Sequence, residues 1–152
     1  MKRRKVLFVC TGNTCRSPMA EAIFRAKIKQ NKIKFVDSAS AGLFTAQGDS
    51  INPNAAACLS ARGIDFASFK PRQLRHKMIE NSFLVVCMTE EHKKIIDSFE
   101  NVCCAAEFIG CDVPDPYGGS LALYENTAKM LEKLAEEIIR RYFSADLCTK
   151  KS

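Results

Sequence analysis

The sequence is sparing with several features that mark functional classes. It contains two histidines, His76 and His92. His76 lies between Arg75 and Lys77, and His92 between Glu91 and Lys93, so both read as exposed helix residues. A cysteine–histidine nucleophile of the protease kind therefore has little support. No paired CxxC segments occur, which argues against a zinc framework. Long apolar runs are missing as well. Val6 to Cys10 is too short for a secretory core or a membrane span. The expectation is a cytoplasmic protein with no membrane partner. No repeat, low-complexity tract or internal linker interrupts the chain. Acidic residues are outnumbered by basic ones, 17 to 23, but the excess is spread and partly terminal, in Lys2-Arg3-Arg4-Lys5 and Lys150-Lys151. Such a surface attracts phosphate-bearing ligands, and without a motif it does not indicate a nucleic-acid partner.

What is present suits one globular domain spanning 1–152, with 144–152 as a frayed tail. The chain has 152 residues and is 47% hydrophobic, enough for a real core. In a cytoplasmic setting the eight cysteines read as thiols rather than disulfides. Cys58, Cys87 and Cys103 read as buried core thiols.

Strands and helices alternate. Lys5 to Cys10 reads as a buried strand and Thr11 to Arg16 as a polar loop. Ser17-Pro18 reads as a cap and first helical position, and the helix runs to about Gln30 with Glu21 in its first turn. Further strands are expected over Lys32–Ser38, Phe83–Met88 and Val102–Phe108. Helices are expected after Pro53 (to Arg62, with Gly63 at the C-terminal cap), after Thr89, and after Ser120. The last has Leu123, Met130, Leu131, Leu134, Ile138 and Ile139 on its apolar face. This order implies a three-layer α/β fold with a mostly parallel sheet, ligands binding at the carboxyl ends of strands.

The loop Cys10-Thr11-Gly12-Asn13-Thr14-Cys15-Arg16-Ser17 lies at such a strand end. A loop of this length between strand and helix can turn successive N–H groups inward and bind a phosphate dianion beside the helix N-terminus. Gly12 and Asn13 tolerate positive φ. Arg16 offers a fork of donors that matches two phosphate oxygens. A cysteine at the start of this positive bowl is favoured as the thiolate, the nucleophilic form, and Ser17 can donate to its sulfur. The plainer alternative is a core cysteine beside a solvated arginine.

A second segment, Asp112-Val113-Pro114-Asp115-Pro116-Tyr117-Gly118-Gly119-Ser120, could supply a proton to a leaving group. Asp115 stands between two prolines, ahead of an aromatic and two glycines, which suits a loop over a pocket. Asp112 is the competing donor. Alone, the segment would read as a surface turn.

Together these segments resemble the low-molecular-weight protein tyrosine phosphatase family, through Val6 to Glu21 and Asp115-Pro116-Tyr117-Gly118-Gly119. Weaker echoes are Val36-Asp37-Ser38-Ala39, Gly63-Ile64-Asp65 and Arg72-Gln73-Leu74. The resemblance implies a four-stranded parallel sheet flanked by helices, with the phosphate-binding loop after the first strand. It implies Cys10 as nucleophile, Arg16 as phosphate clamp, Asp115 as general acid and then base, Asn13 as the loop's shape-holder and Ser17 as thiolate stabiliser. It also implies Cys15 as a redox partner for Cys10, a phosphorylated protein as substrate, inorganic phosphate as product and inhibitor, and no metal or organic cofactor. A histidine often precedes the Arg-Gln-Leu echo in the family and buttresses the loop. Here Phe69 stands in that place, which leaves open the buttress and the choice of Ser38 or Ser40 as the partner of Asn13.

Within the family, tyrosine phosphatases usually carry a branched aliphatic residue at the position of Thr14. The bacterial protein-arginine phosphatases carry threonine. Thr14 therefore leans towards phosphoarginine, with phosphotyrosine the alternative. Leu43, Phe44 and Tyr117 are candidate rim residues that could hold a phenol ring or stack on a guanidinium. Arsenate reduction on the same scaffold would need further mobile cysteines, and Cys103, Cys104 and Cys111 are the nearest supply. A phosphate-binding pseudoenzyme would need a broken catalytic set, whereas Cys10, Arg16 and Asp115 are all present.

Overall fold

The computed structural model describes residues 2–148. In chain order the elements are β1 (Arg4–Cys10), α1 (Arg16–Gln30), β2 (Val36–Gly42), α2 (Pro53–Ser60), α3 (His76–Glu80), β3 (Leu84–Cys87), α4 (Glu90–Ile95), β4 (Val102–Cys104), α5 (Ala106–Ile109), α6 (Leu121–Tyr142) and α7 (Ser144–Cys148). The four strands form one parallel sheet in the order β2-β1-β3-β4. This is the expected three-layer α/β fold. β1 lies between β2 and β3, so the chain reverses its direction of travel across the sheet at β1. The carboxyl end of β1 is therefore the switch point where such folds open a crevice.

Alternation along β1 divides the core. Val6 and Phe8 face α1, α2 and α6, meeting Phe24, Leu134 and Ile138. Leu7 and Val9 face the other way, towards Ile79 and Ile96. Both faces are covered, which explains the unbroken apolar run that marks β1. α6 buries Leu131, Leu134, Ile138 and Ile139 as expected, while Leu123 is exposed and Tyr124, Thr127, Ala128 and Ala135 complete the buried face.

Several boundaries differ from the sequence reading. β2 begins at Val36, because Lys32 and Phe35 adopt positive φ and the Ile33 N–H returns to the Ile28 carbonyl at 3.0 Å. Its apolar signal was carried by residues that plug the exit of α1. The true strand is rich in alanine and serine, and its strand character comes from pairing with β1 along its whole length and packing under α1. β4 is only three residues, because the Glu107 carboxylate accepts the Cys104 N–H at 2.8 Å and the chain turns into α5. Gly63, at φ +76, ends α2 through the N–H of Gly63 to Ser60 and of Ile64 to Leu59. Ser144–Cys148 form a helix rather than a frayed end, with Leu147 against the core, and 149–152 lie outside the described residues. Among the described residues no helix is long and apolar enough to cross a membrane.

Candidate active site

The loop after β1 curls around the Cys10 sulfur. The Asn13 N–H points at it from 3.3 Å and the Ser17 hydroxyl from 2.8 Å. Asn13 takes the left-handed backbone, φ 57, while Gly12 does not need it. The helix that follows begins at Arg16, one residue earlier than expected. Its N-cap is Cys15, no side chain caps it, and its first turn contains no acid. Ser17 is therefore not the cap, and Glu21 falls beyond the first turn. The free N–H groups of this terminus are left for an anion.

A buried polar chain holds the loop from behind. Ser40 donates to Glu21 Oε1 at 2.6 Å, so its oxygen is left to accept from Asn13 Nδ2 at 3.0 Å. The same Asn13 amide donates to the Ser17 hydroxyl at 2.7 Å, and its Oδ1 accepts the Arg72 N–H at 2.8 Å. With its oxygen occupied, Ser17 directs its proton towards Cys10. Glu21 thus orients the sulfur's donor, Ser17, through two intermediates, Ser40 and Asn13. Arg25 pairs with Glu21 Oε2 at 2.7 Å and Arg72 approaches Oε1 at 3.9 Å. Ser40, not Ser38, is the partner of Asn13. Ser38 donates to the Glu21 carbonyl. Phe69 takes no part in this chain and stacks on Phe66 at 5.0 Å.

Gly42 lets the end of β2 touch the loop. A Cβ there would lie 2.9 Å from the Gly12 carbon and the Thr11 oxygen. The next residues tie the two segments, Leu43 N–H to Cys10 and Phe44 N–H to Thr11.

Cys10, Thr11, Gly12, Thr14, Cys15, Arg16, Asp115 and Tyr117 line one cleft of about 210 Å³. Arg16 is buried, held by its Nη1 donation to the Val113 carbonyl at 3.1 Å, and its Nη2 lies 3.8 Å from Asp115 Oδ2. Asp115 Oδ1 accepts the Tyr117 N–H at 3.1 Å. Asp112, the competing acid, instead accepts the Glu90 N–H at the start of α4. Tyr117 stands at the mouth, largely exposed. Leu43 and Phe44 line a neighbouring cleft instead, and Leu43 is buried against the sheet rather than forming a rim.

Cys15 faces the Tyr124 hydroxyl at 3.4 Å. Burial pushes the Cys15 thiol up, against a smaller pull from that hydrogen bond, so it stays protonated near neutral pH. Cys103 and Cys104 are buried in β4, and burial carries the Cys103 thiol to about 12. They are poorly suited to a moving redox pair, and Cys111 alone of that group is exposed. No cluster able to hold a metal ion occurs among the described residues.

His92 corrects the sequence reading. It is buried, and its Nε2 lies 2.9 Å from the Thr11 hydroxyl of the phosphate loop. Burial first, and Arg16 second, lower it to about 4, so it is neutral at physiological pH. His76 is exposed as expected.

The profile of the low molecular weight phosphotyrosine protein phosphatase family matches residues 5–149. The chain belongs to this family. The phosphatase is 35% identical to the protein-arginine-phosphatase of Bacillus subtilis over 144 residues, covering 90% of this chain and 95% of that protein. It is 32% identical to the low molecular weight protein-tyrosine-phosphatase PtpB of Staphylococcus epidermidis, over 88% of this chain and 96% of the relative. Among solved structures, the low molecular weight protein tyrosine phosphatase from T. tengcongensis superposes with a TM-score of 0.85 at 38% identity, covering 91% of this chain and 99% of that one. The chain is accordingly a hydrolase of this family.

Glu21, Ser40, Gly42, Arg72, His92 and Tyr124 had no site role in the sequence reading beyond the open choice between Ser38 and Ser40. The one usable signal was Phe69, whose departure from the family pattern calls for another buttress.

Proposed function

We propose that the protein dephosphorylates arginine side chains of other proteins through a cysteinyl-phosphate intermediate. The observation that carries this reading is the meeting of Cys10, Arg16, Asp115 and Thr14 around one cleft at an uncapped helix N-terminus. Arg16 and the loop N–H groups grip the phosphoryl oxygens. The Cys10 sulfur attacks phosphorus, an S–P bond forms, and the P–N bond breaks. The departing nitrogen takes the proton of Asp115. The Asp115 carboxylate then removes a proton from water, whose oxygen attacks phosphorus, breaks the S–P bond and releases inorganic phosphate with the thiolate restored. Phosphate retained by the same loop N–H groups inhibits as product. Where a peroxide has oxidised Cys10 to the sulfenic acid, the Cys15 thiol in the same cleft attacks that sulfur, forms the disulfide and releases water, which protects Cys10 from further oxidation.

Thr14 supports phosphoarginine because its hydroxyl can meet a polar N–H group where an aliphatic side chain would pack on a ring. The protein-arginine-phosphatase named above is among the relatives in keeping with this choice. Phosphotyrosine is the second reading, favoured by the exposed Tyr117 ring at the cleft mouth. Matched phosphoarginine and phosphotyrosine peptides separate the two, with Cys10→Ser as blank. A phosphoarginine preference that Thr14→Ile reverses supports the first. A phosphotyrosine preference unaffected by Thr14→Ile overturns it.

A further inference from the structure

The cleft around Cys10, about 210 Å³, has room for a phosphoryl group and the end of one side chain. A protein substrate must therefore lay its neighbouring residues elsewhere on the surface. A larger cleft of about 750 Å³ adjoins, and Thr11 of the phosphate loop lines both. Its walls come from separate elements. Phe44 follows β2 and is 69% exposed, while Ile95 ends α4 and is 57% exposed. Two large apolar side chains left open beside the site carry a standing cost that an apolar ligand would remove. Leu43 and His92, both buried, also line it. The charged residues of the lining, Glu91, Asp112 and Lys94, are mixed in sign and do not select strongly for a charge.

We infer that this cleft is a specificity subsite that takes a large aliphatic side chain, such as leucine, isoleucine or methionine, from a residue flanking the phosphorylated one. The inference rests on the protein-phosphatase reading above. The two clefts share Thr11, so one extended peptide reaches both, its side chains spaced by roughly 7 Å at every second residue. Half-burial of a leucine between Phe44 and Ile95 acts mainly on KM, since the reacting atoms lie in the other cleft.

The test compares phosphorylated peptides that carry leucine or glycine at each of the two positions on either side of the phospho-residue. At one position leucine raises kcat/KM by roughly 5- to 10-fold, chiefly through KM. Ile95→Ser, an exposed substitution at the end of a helix, reduces that preference below about twofold and leaves turnover of a small aryl phosphate unchanged within the same margin. Equal rates at all positions overturn the subsite, as does a preference that survives Ile95→Ser. Turnover of the aryl phosphate but of no peptide instead overturns the protein-phosphatase reading, and the subsite with it.

Discussion

Cys10 and Cys87 end neighbouring parallel strands, and both are almost wholly buried. Each strand leads through a turn into a helix. At the β3 end, the Thr89 hydroxyl caps α4 by accepting the His92 N–H, and Glu90 and Glu91 fill its first turn. Burial pushes the Cys87 thiol far up, its neighbours Cys103 and Cys104 add to this, and it stays an inert core thiol. At the β1 end, α1 has no side-chain cap and no acid in its first turn, and two donors point at the Cys10 sulfur. Strand position and burial are shared. The difference lies in whether the helix N-terminus has already spent its donors.

The sharpest way to break this contrast is to make the same substitution at both ends. Cys10→Ser lowers turnover by roughly a thousandfold or more. Cys87→Ser leaves turnover within a few-fold but costs about 1–3 kcal/mol of stability by burying a hydroxyl. Steady-state rates and denaturant melts read the two effects, and equal losses of activity would erase the distinction. Next comes Arg16→Lys, which keeps the charge and removes the fork. Turnover falls by roughly a hundredfold with little change in melting temperature. A lysine enzyme of near-normal rate would show that charge alone suffices.

The rear supports differ too. Ser40→Ala cuts the line from Glu21 to Asn13 and lowers kcat by roughly tenfold. Thr89→Ala removes the α4 cap and costs about 1 kcal/mol of stability without slowing turnover of an aryl phosphate. Kinetics and melts of the two variants test this, and a Ser40→Ala enzyme of full kcat would detach Glu21 from the site. The smallest effect concerns acid. His92 is lowered to about 4 in the folded protein, so the unfolded chain binds its proton first as pH falls. Its contribution is present above pH 6.5 and fades towards pH 4, about 1–2 kcal/mol between pH 7 and pH 5. In melts at the two pH values His92→Asn loses that part of the acid sensitivity, and an unchanged pH dependence would show that other groups carry it.

The phosphate loop was legible because its parts are consecutive: an apolar strand, a polar turn, then a helix, with cysteine, asparagine and arginine in sequence. The four-stranded parallel sheet followed from the alternation of elements and from the family resemblance. Its supports were not legible, since Ser40 meets Glu21 across 19 residues and His92 meets Thr11 across 81. Flanking charges suggested that His92 is exposed, yet α4 is one short helix and this side chain is the one it turns inward. β2 was displaced because its small residues carry little strand signal while Ile33 and Phe35 carry much. Leu43 directly follows β2 beside the exposed Phe44 and so reads as rim, yet its side chain joins the core cluster that contains Val9 and Ile79.

The proposed reaction turns on a phosphoryl group passing through the Cys10 sulfur. Asp115→Asn enzyme, reduced and mixed with an aryl phosphate whose leaving group needs no proton, should be quenched in acid and mapped by mass spectrometry. One phosphoryl group on Cys10, and none in the Cys10→Ala variant, is the expected result. Label on another residue, or continued turnover by the Cys10→Ala variant, would contradict it.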